Sequence, residues 1–398
     1  MNILITGAKG FIGKNLVKAL ENIRDNKDRR EEFSCLRPLT IFACDIDTTD
    51  EELDQFTSKA DLVVHLAGIN RPKNDEEFLK GNRDFTKHLL ELLEAHNNIA
   101  PVLLSSSIQA TLEGPYQNSL YGNSKLQSEL FLLEEGKQSG RPVVIYRFPN
   151  VFGKWCRPNY NSAVATFCHN ISHGLPVTIS DENHEMNLVY IDDIVLDILE
   201  LLRSFAQKGT LDSGYREVKP VYKATLGEIV HLLNEFHASR KTLQIPRIKD
   251  NSFEKKLLST FEGYLAPDDF IYDLKENKDE RGNFAEFIKT PDRGQVSLNV
   301  VKPHNTKGNH WHQSKWEKFV VLSGKAIIKQ RKIGLDENGE QYPIKEYHLS
   351  DERYQVVETP PGYTHSLHNP SNEDPAVCAI WCNETFDPEN PDTYFEEV

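Results

Sequence analysis

Two groups of residues, near opposite ends of the chain, have types and spacings suited to chemistry. The first is Tyr121-x3-Lys125, preceded by the serine run Ser105-Ser106-Ser107. On a helix, positions four apart share a face. A free tyrosine titrates at about 10 and exchanges protons poorly at neutral pH. A lysine ammonium one turn away favours the phenolate and can hold a nicotinamide ribose, while a serine hydroxyl at a strand end can polarise a carbonyl. The second group is His310-x-His312-x4-Glu317, answered by His365 behind Pro360 and Gly362. Residues two apart on a strand point to one side. Three imidazoles and a carboxylate suit a borderline divalent ion such as zinc, with copper, nickel or iron as alternatives.

A third pattern stands before the tyrosine. Gly7-Ala8-Lys9-Gly10-Phe11-Ile12-Gly13 follows the apolar run Asn2–Thr6. Glycines at this spacing let the backbone turn sharply and approach a pyrophosphate, whose charge then faces a helix N-terminus. A later strand closes on His65-Leu66-Ala67-Gly68. Gly7, Lys9, Gly10, Phe11, Ile12, Gly13, Leu66 and Ala67 are therefore expected to surround a dinucleotide. Asp45, after the strand-like Leu39–Cys44, favours a free ribose 2′-hydroxyl and hence NAD. Lys9 and Arg71 would instead meet a 2′-phosphate, so these residues leave NAD and NADP both open.

The elements that must position these groups fall into two textures. Asn2–Thr6, Asp61–Leu66, Pro101–Ser105 and Val143–Tyr146 are short apolar runs of the kind found in a doubly covered parallel sheet. Amphipathic stretches lie between them, among them Phe11–Leu20, with Ile12, Leu16 and Leu20 in register, and residues 80–95. This alternation predicts an α/β, Rossmann-type, doubly wound domain over residues 1–248. Residues 251–265 read as a linking helix. From Phe270 onward the chain turns to short strands punctuated by Gly, Pro, Asn and Asp, including VSLNVVKP, KFVVLSGKAIIKQR, YQVVETPPG and AVCAIWCN. That predicts an all-β barrel or sandwich over residues 249–398.

Composition limits the partners. The chain has 398 residues, 38% hydrophobic and 10% aromatic, which suits two globular domains. A net charge of −14 argues against nucleic-acid binding through the overall field. No apolar run approaches the length of a membrane span, and MNILITGAKGFIG lacks the features of a signal peptide. Six scattered cysteines show no disulfide framework, consistent with reduced thiols and a cytoplasmic location.

The N-terminal residues resemble the extended short-chain dehydrogenase/reductase family over about the first 245 positions. The resemblance implies that Tyr121 is the acid/base, Lys125 its partner and Ser107 the carbonyl-binding hydroxyl. It places Asn150, within Arg147–Gly153, in the substrate region and implies nucleotide-linked sugars as substrates. The paired histidine motifs resemble those of the cupin family over about residues 270–398, implying a jelly-roll barrel with zinc on His310, His312, Glu317 and His365. A glycine that the family places before Pro360 is missing, which removes no ligand. Asp279-Glu280-Arg281-Gly282-Asn283-Phe284-Ala285-Glu286 resembles a segment of the nucleotide-deoxysugar 3,5-epimerases, themselves cupins. There the arginine and glutamate contact the nucleotide-sugar, so Arg281 and Glu286 are substrate-binding candidates. The His base and Tyr acid of those epimerases have no residue-by-residue match here; Lys302, His304 and Tyr363 are candidates.

Through GAKGFIG, LLSSSIQAT, GKWCRPNYNS, RGNFAEFIKTPDRGQVS and KGNHWH the whole chain resembles the bifunctional capsule-precursor enzymes of bacteria. The resemblance implies C3 epimerisation of a UDP-4-keto-6-deoxy-N-acetylhexosamine, then NADPH-dependent C4 reduction to UDP-N-acetyl-6-deoxy-L-talosamine, towards UDP-N-acetyl-L-fucosamine. It also implies a zinc-bearing cupin and a homodimer. The order is chemically coherent, because a hydrogen at C3 becomes removable only beside a C4 ketone. Two rival readings keep the same motifs: a reductase whose metal-bearing domain is structural or dimerising, and a nucleotide-sugar-binding regulator without turnover.

Overall fold

A computed structural model describes residues 1–72 and 74–398. These form two compact units, Met1–Leu233 with Asn251–Leu265, and Asn234–Asp250 with Ala266–Val398. The chain therefore crosses between units three times, and the helix Phe253–Glu262 belongs to the first.

In the first unit six parallel strands stand in the order Thr40–Cys44, Asn2–Thr6, Leu62–His65, Val102–Ser107, Val143–Phe148, Gly214–Arg216. Both faces of the sheet are covered, and strand alternation divides the core accordingly. Ile3 and Ile5 pack on one side with Leu16 and Leu20 of the helix Phe11–Arg24 and with Ile194 and Ile198 of the helix Ile191–Lys208. Leu4 faces the other side, with Leu89 and Leu93 of the helix Phe85–Ala95 and Leu132 of the helix Leu120–Ser139. The parallel pairs and two-sided burial make this a Rossmann-like α/β unit, as the alternating pattern predicts. The strand order reverses direction between Asn2–Thr6 and Leu62–His65. Ligands of open α/β sheets bind at the carboxyl ends of strands flanking such a switch point, and here Gly7 and Leu66 follow those two strands. A smaller sheet, Asn150–Phe152, Glu185–Tyr190 and Tyr222–Thr225, carries Asn150.

The second unit takes the end of the helix Leu226–Thr242 and the short turn Pro267–Phe270, and from Glu276 on it is all-β, built from two antiparallel sheets. One runs Glu276–Asp279, Gly282–Thr290, Gly294–Val301, Ala376–Cys382, Glu317–Ser323, Val357–Thr359. The other runs Lys345–Ser350, Lys325–Lys332, Tyr363–His368, Thr306–Trp311, Tyr394–Phe395. Their apolar faces share a core that includes Val301, Phe319 and Ile380 from the first sheet and Ile328, Leu349 and Leu367 from the second. The run KFVVLSGKAIIKQR is two strands, broken at Gly324 and assigned to different sheets. No helix among the described residues is long and apolar enough to cross a membrane.

Candidate functional site

The glycine turn does what its sequence suggests. Gly7 has φ +68°, and a Cβ there would lie 2.7 Å from the amide nitrogen of Ala67, so the two strand ends approach to glycine distance. Gly10 donates to the Gly7 carbonyl at 3.0 Å and begins the helix Phe11–Arg24. Glycine offers no capping side chain, and the first turn, with Phe11, Ile12 and Gly13, carries no acidic residue. Its free amides suit an anion such as a cofactor pyrophosphate. Asp45 accepts from the Lys9 amide at 2.6 Å, while the Lys9 ammonium pairs with Asp47, both side chains exposed. Arg71 lies over the Tyr160 ring at 5.9 Å. Acid and base thus both stand at the turn, with Asp45 and Asp47 against Lys9.

The loop Leu66–Ile69 is tied down by Thr6 and Asn82, with His65 and Thr86 behind them. Thr6 Oγ1 accepts from the Ala67 amide at 3.2 Å and lies 2.7 Å from His65 Nδ1. On the far side His65 Nε2 lies 2.9 Å from Thr86 Oγ1, whose hydroxyl donates to the Asn82 carbonyl. This chain of bonds places the ring proton on Nε2, and burial pushes the imidazole down to about 3. His65 is a neutral, satisfied core histidine. Asn82, in a π-helical turn at Leu79–Asp84, bonds both the amide and the carbonyl of Ile69 and donates to Ser124 Oγ at 2.8 Å. Its amide therefore links the loop to the helix that carries Tyr121.

Tyr121 and Lys125 lie one turn apart on the helix Leu120–Ser139, which Ser119 caps by accepting from the Gly122 amide. A Cβ on Gly122 would sit 2.2 Å from the Gln109 carbonyl oxygen. Glycine there lets the helix press against the turn Ile108–Thr111, which Ser107 caps. Ser107 Oγ accepts from Gln109 N at 3.2 Å, leaving its hydroxyl proton to donate. Lys125 is buried and donates to the Ser105 carbonyl at 2.9 Å. Burial lowers its pKa to about 8, with Glu129 opposing, and pushes the Tyr121 phenol up to about 12. The lysine is therefore not depressing the phenol in this state; desolvation governs both groups. Beneath them Glu129, wholly buried, takes Ser106, a forked bond from Arg147 and Tyr215. Glu129 lies one further turn along the helix from Lys125. Asn150 is exposed and donates to the Asn187 carbonyl at 3.4 Å.

In the second unit the ligating atoms of His310, His312, Glu317 and His365 lie within 4.8 Å of one another. His310 pairs directly across from His365 on adjacent strands, while Glu317 opens a strand of the other sheet. Glu317 Oε2 stands 3.1 Å from His365 Nε2 and 3.6 Å from His312 Nε2. Yet among the described residues Glu317 Oε2 and His312 Nε2 are buried without a hydrogen bond. Orphaned polar atoms of this kind demand a partner, and a divalent cation suits three imidazoles and a carboxylate. Burial works to raise the Glu317 pKa, but the contacts to His312 and His365 hold it well below the usual range. Burial, aided by His365, lowers His310 to about 4; for His312 burial is outweighed by Glu317, which raises it. His312 Nδ1 meets the Asp392 carbonyl, and the Asp392 carboxylate accepts from the amides of Gln313, Ser314 and Lys315.

The four donors line a cavity of about 830 Å³, and Arg281 and Glu286 line it too. Arg281 is held by Asp279, and Glu286 by Lys289 at 2.7 Å. Lys302, His304 and Tyr363 are not among its lining residues. Lys307, Lys315 and Asn299, none of them a site candidate from the sequence, are.

Residues 3–212 match the NAD dependent epimerase/dehydratase family. The chain belongs to that family. Members of the NAD dependent epimerase/dehydratase family are nicotinamide-dependent enzymes of the short-chain dehydrogenase/reductase type, and this chain is an oxidoreductase of that type with a nicotinamide cofactor. Residues 277–394 match the polysaccharide biosynthesis C-terminal domain. The chain is 40% identical over 395 residues to a UDP-2-acetamido-2,6-beta-L-arabino-hexul-4-ose reductase of Pseudomonas aeruginosa, covering 99% of this chain and 98% of the other. It is also similar to the crystal structure of the capsular polysaccharide assembling protein CapF of Staphylococcus aureus, with TM-score 0.85, 47% identity and full coverage of both chains. A Thermus thermophilus UDP-glucose 4-epimerase complexed with NAD, 19% identical with TM-score 0.51, shares the fold over 66% of this chain and 99% of its own.

Proposed function

We propose that this chain is a bifunctional nucleotide-sugar enzyme of capsule-precursor synthesis. The C-terminal unit, a cupin, epimerises C3 of a UDP-4-keto-6-deoxy-N-acetylhexosamine. The N-terminal unit then reduces the C4 ketone with NADPH to UDP-N-acetyl-6-deoxy-L-talosamine, towards UDP-N-acetyl-L-fucosamine. The enzyme works as a cytoplasmic homodimer. The observation that carries the reading is that Arg281 and Glu286 share one cavity with His310, His312, Glu317 and His365, in a chain that also holds Tyr121 and Lys125. The likeness to the Pseudomonas reductase and to CapF supports it.

In the cupin, Arg281 and Glu286 bind the nucleotide-sugar, the guanidinium suiting phosphate oxygens and the carboxylate suiting hydroxyls. His310, His312, Glu317 and His365 hold zinc, which when bound supplies a Lewis acid. Loss of the C3 proton beside the ketone gives an enolate, and return of a proton to the opposite face inverts C3. In the reductase unit the turn at residues 7–13 would hold the nicotinamide cofactor, which when bound would supply hydride. The Ser107 hydroxyl holds the C4 oxygen, and Tyr121 delivers its proton there. The buried Lys125 cation stabilises the phenolate that results. Lys9 and Arg71 accommodate the 2′-phosphate of NADPH.

A second reading makes the zinc structural, and the complete set of four protein donors favours it, since catalytic zinc usually keeps an open position. One experiment separates the two. With a UDP-4-keto-deoxysugar in D2O and no NADPH, the protein should incorporate deuterium at C3, read by NMR. Absence of exchange by the wild-type protein, with ketone reduction intact, would leave only the structural-zinc reading.

A further inference from the structure

Lys307 and His310 are three residues apart on the strand Thr306–Trp311, a spacing that puts side chains on opposite faces of a regular strand. The register against Tyr363–His368 slips between Gly308 and His310, and Asn309 takes φ +58°. This bulge brings both residues to one face: Lys307 pairs with Leu367 and His310 with His365, two residues apart on the partner strand. Both line the 830 Å³ cavity, as do Leu367 and His365. Bulges recur next to active sites because they re-aim a side chain in this way. The Lys307 ammonium is also held in place. Its Nζ donates to the Asn283 carbonyl at 3.0 Å and to Asn299 Oδ1 at 3.0 Å. Two of its three hydrogens are thereby committed and one remains for a ligand. Burial lowers its pKa, with Asp279 opposing.

Resting on the epimerase reading above, we propose that Lys307 is a catalytic residue of the C3 inversion, its ammonium donating to the sugar C4 oxygen as negative charge develops there. The C3–H bond breaks, its electron pair becomes the C3–C4 double bond, and the carbonyl π pair moves onto the C4 oxygen. The proton passes to a basic group of the cavity. Re-forming the ketone drives the electron pair back to C3, which takes a proton on its other face from an acidic group of the cavity; that group recovers a proton from solvent and the base releases its own there. A donor fixed beforehand at the site of developing charge acts without reorganising during the reaction.

The test is C3 deuterium exchange by the full chain, at saturating UDP-4-keto-deoxysugar, for wild type, Lys307→Met, Lys307→Gln and Lys307→Arg. Glutamine keeps a donor for the buried Asn299 oxygen while removing the charge, so it guards against a misfolded methionine variant. Zinc content and thermal melting are read alongside. Both neutral variants should slow exchange on the order of 100-fold, with KM little changed. Arginine should restore a substantial part, and ketone reduction in the other unit should persist in all. Exchange by a folded, zinc-loaded Lys307→Gln within about threefold of wild type overturns the role of Lys307. Silence of the wild type overturns the epimerase reading itself, and this role with it.

Discussion

At the residue scale, burial rather than pairwise charge sets the proton affinities of Tyr121, Lys125 and His65. Tyr121 stands at about 12 and Lys125 at about 8 because each is shielded from water, so the phenol enters the reaction protonated. Tyr121→Phe should cut NADPH oxidation on the order of 1000-fold yet leave C3 exchange intact, which paired spectrophotometric and NMR assays would show. His65 yields a stability prediction. Its folded pKa, about 3, is below the ordinary 6.5, so the unfolded chain takes up the proton first. The stabilisation is complete above 6.5 and is lost as pH falls towards 3, at ~1.4 kcal/mol per pH unit for one proton. Urea denaturation between pH 7 and pH 4 should show that His65→Gln has a slope smaller by about one proton. An equal slope would mean that His65 is already charged in the folded protein.

At the element scale, the contacts that aim the reacting groups are made by backbone approach. The Gly122 helix can rest on the Ile108–Thr111 turn only because a Cβ there would meet the Gln109 carbonyl at 2.2 Å. Gly122→Ala should therefore cost about 1–3 kcal/mol through overpacking and slow the reduction by separating Ser107 from Tyr121. Thermal melting and kcat measure the two effects. In the second unit the C-terminal segment acts on the four clustered donors: Asp392 fixes His312 through its carbonyl and the following loop through its carboxylate. Tyr394–Phe395 pairs with His310 and Trp311. Asp392→Ala keeps the main-chain carbonyl on His312 but frees the loop of Gln313, Ser314 and Lys315 that leads on from it, so through this loosened support it should weaken zinc binding about 10–100-fold in a chelator competition. These elements were unevenly legible. The strand-turn-helix of Asn2–Arg24 follows from local pattern. The π turn at Leu79–Asp84 and the break of KFVVLSGKAIIKQR at Gly324 do not, because each depends on what packs against it.

At the scale of the whole molecule, each unit has its own core and its own candidate chemistry. Metal removal should act on one of them. Chelation is expected to lower the melting of the second unit while binding of the nicotinamide cofactor by the first persists, since a metal that binds only the folded state stabilises the unit that holds it. Calorimetry with and without chelator, together with cofactor titration, checks this. A single transition insensitive to chelation would mean that no metal is held by the four donors.

The sequence by itself determined the parallel α/β layout of the first unit, its glycine turn, the Tyr121–Lys125 spacing and the four donors of the second. These are encoded locally, in side-chain period, turn chemistry and short spacings. Only the tertiary structure decided that Arg281 and Glu286 open onto the same cavity as those donors, while Lys302, His304 and Tyr363 do not. Only the tertiary structure singled out Asn82, Glu129, Asp392 and Lys307. Their partners lie across strands or on other elements, and for Lys307 a bulge reverses the face that simple alternation assigns. Register, bulges and the burial that shifts proton affinity are properties of packed neighbours, which no local pattern of residues contains.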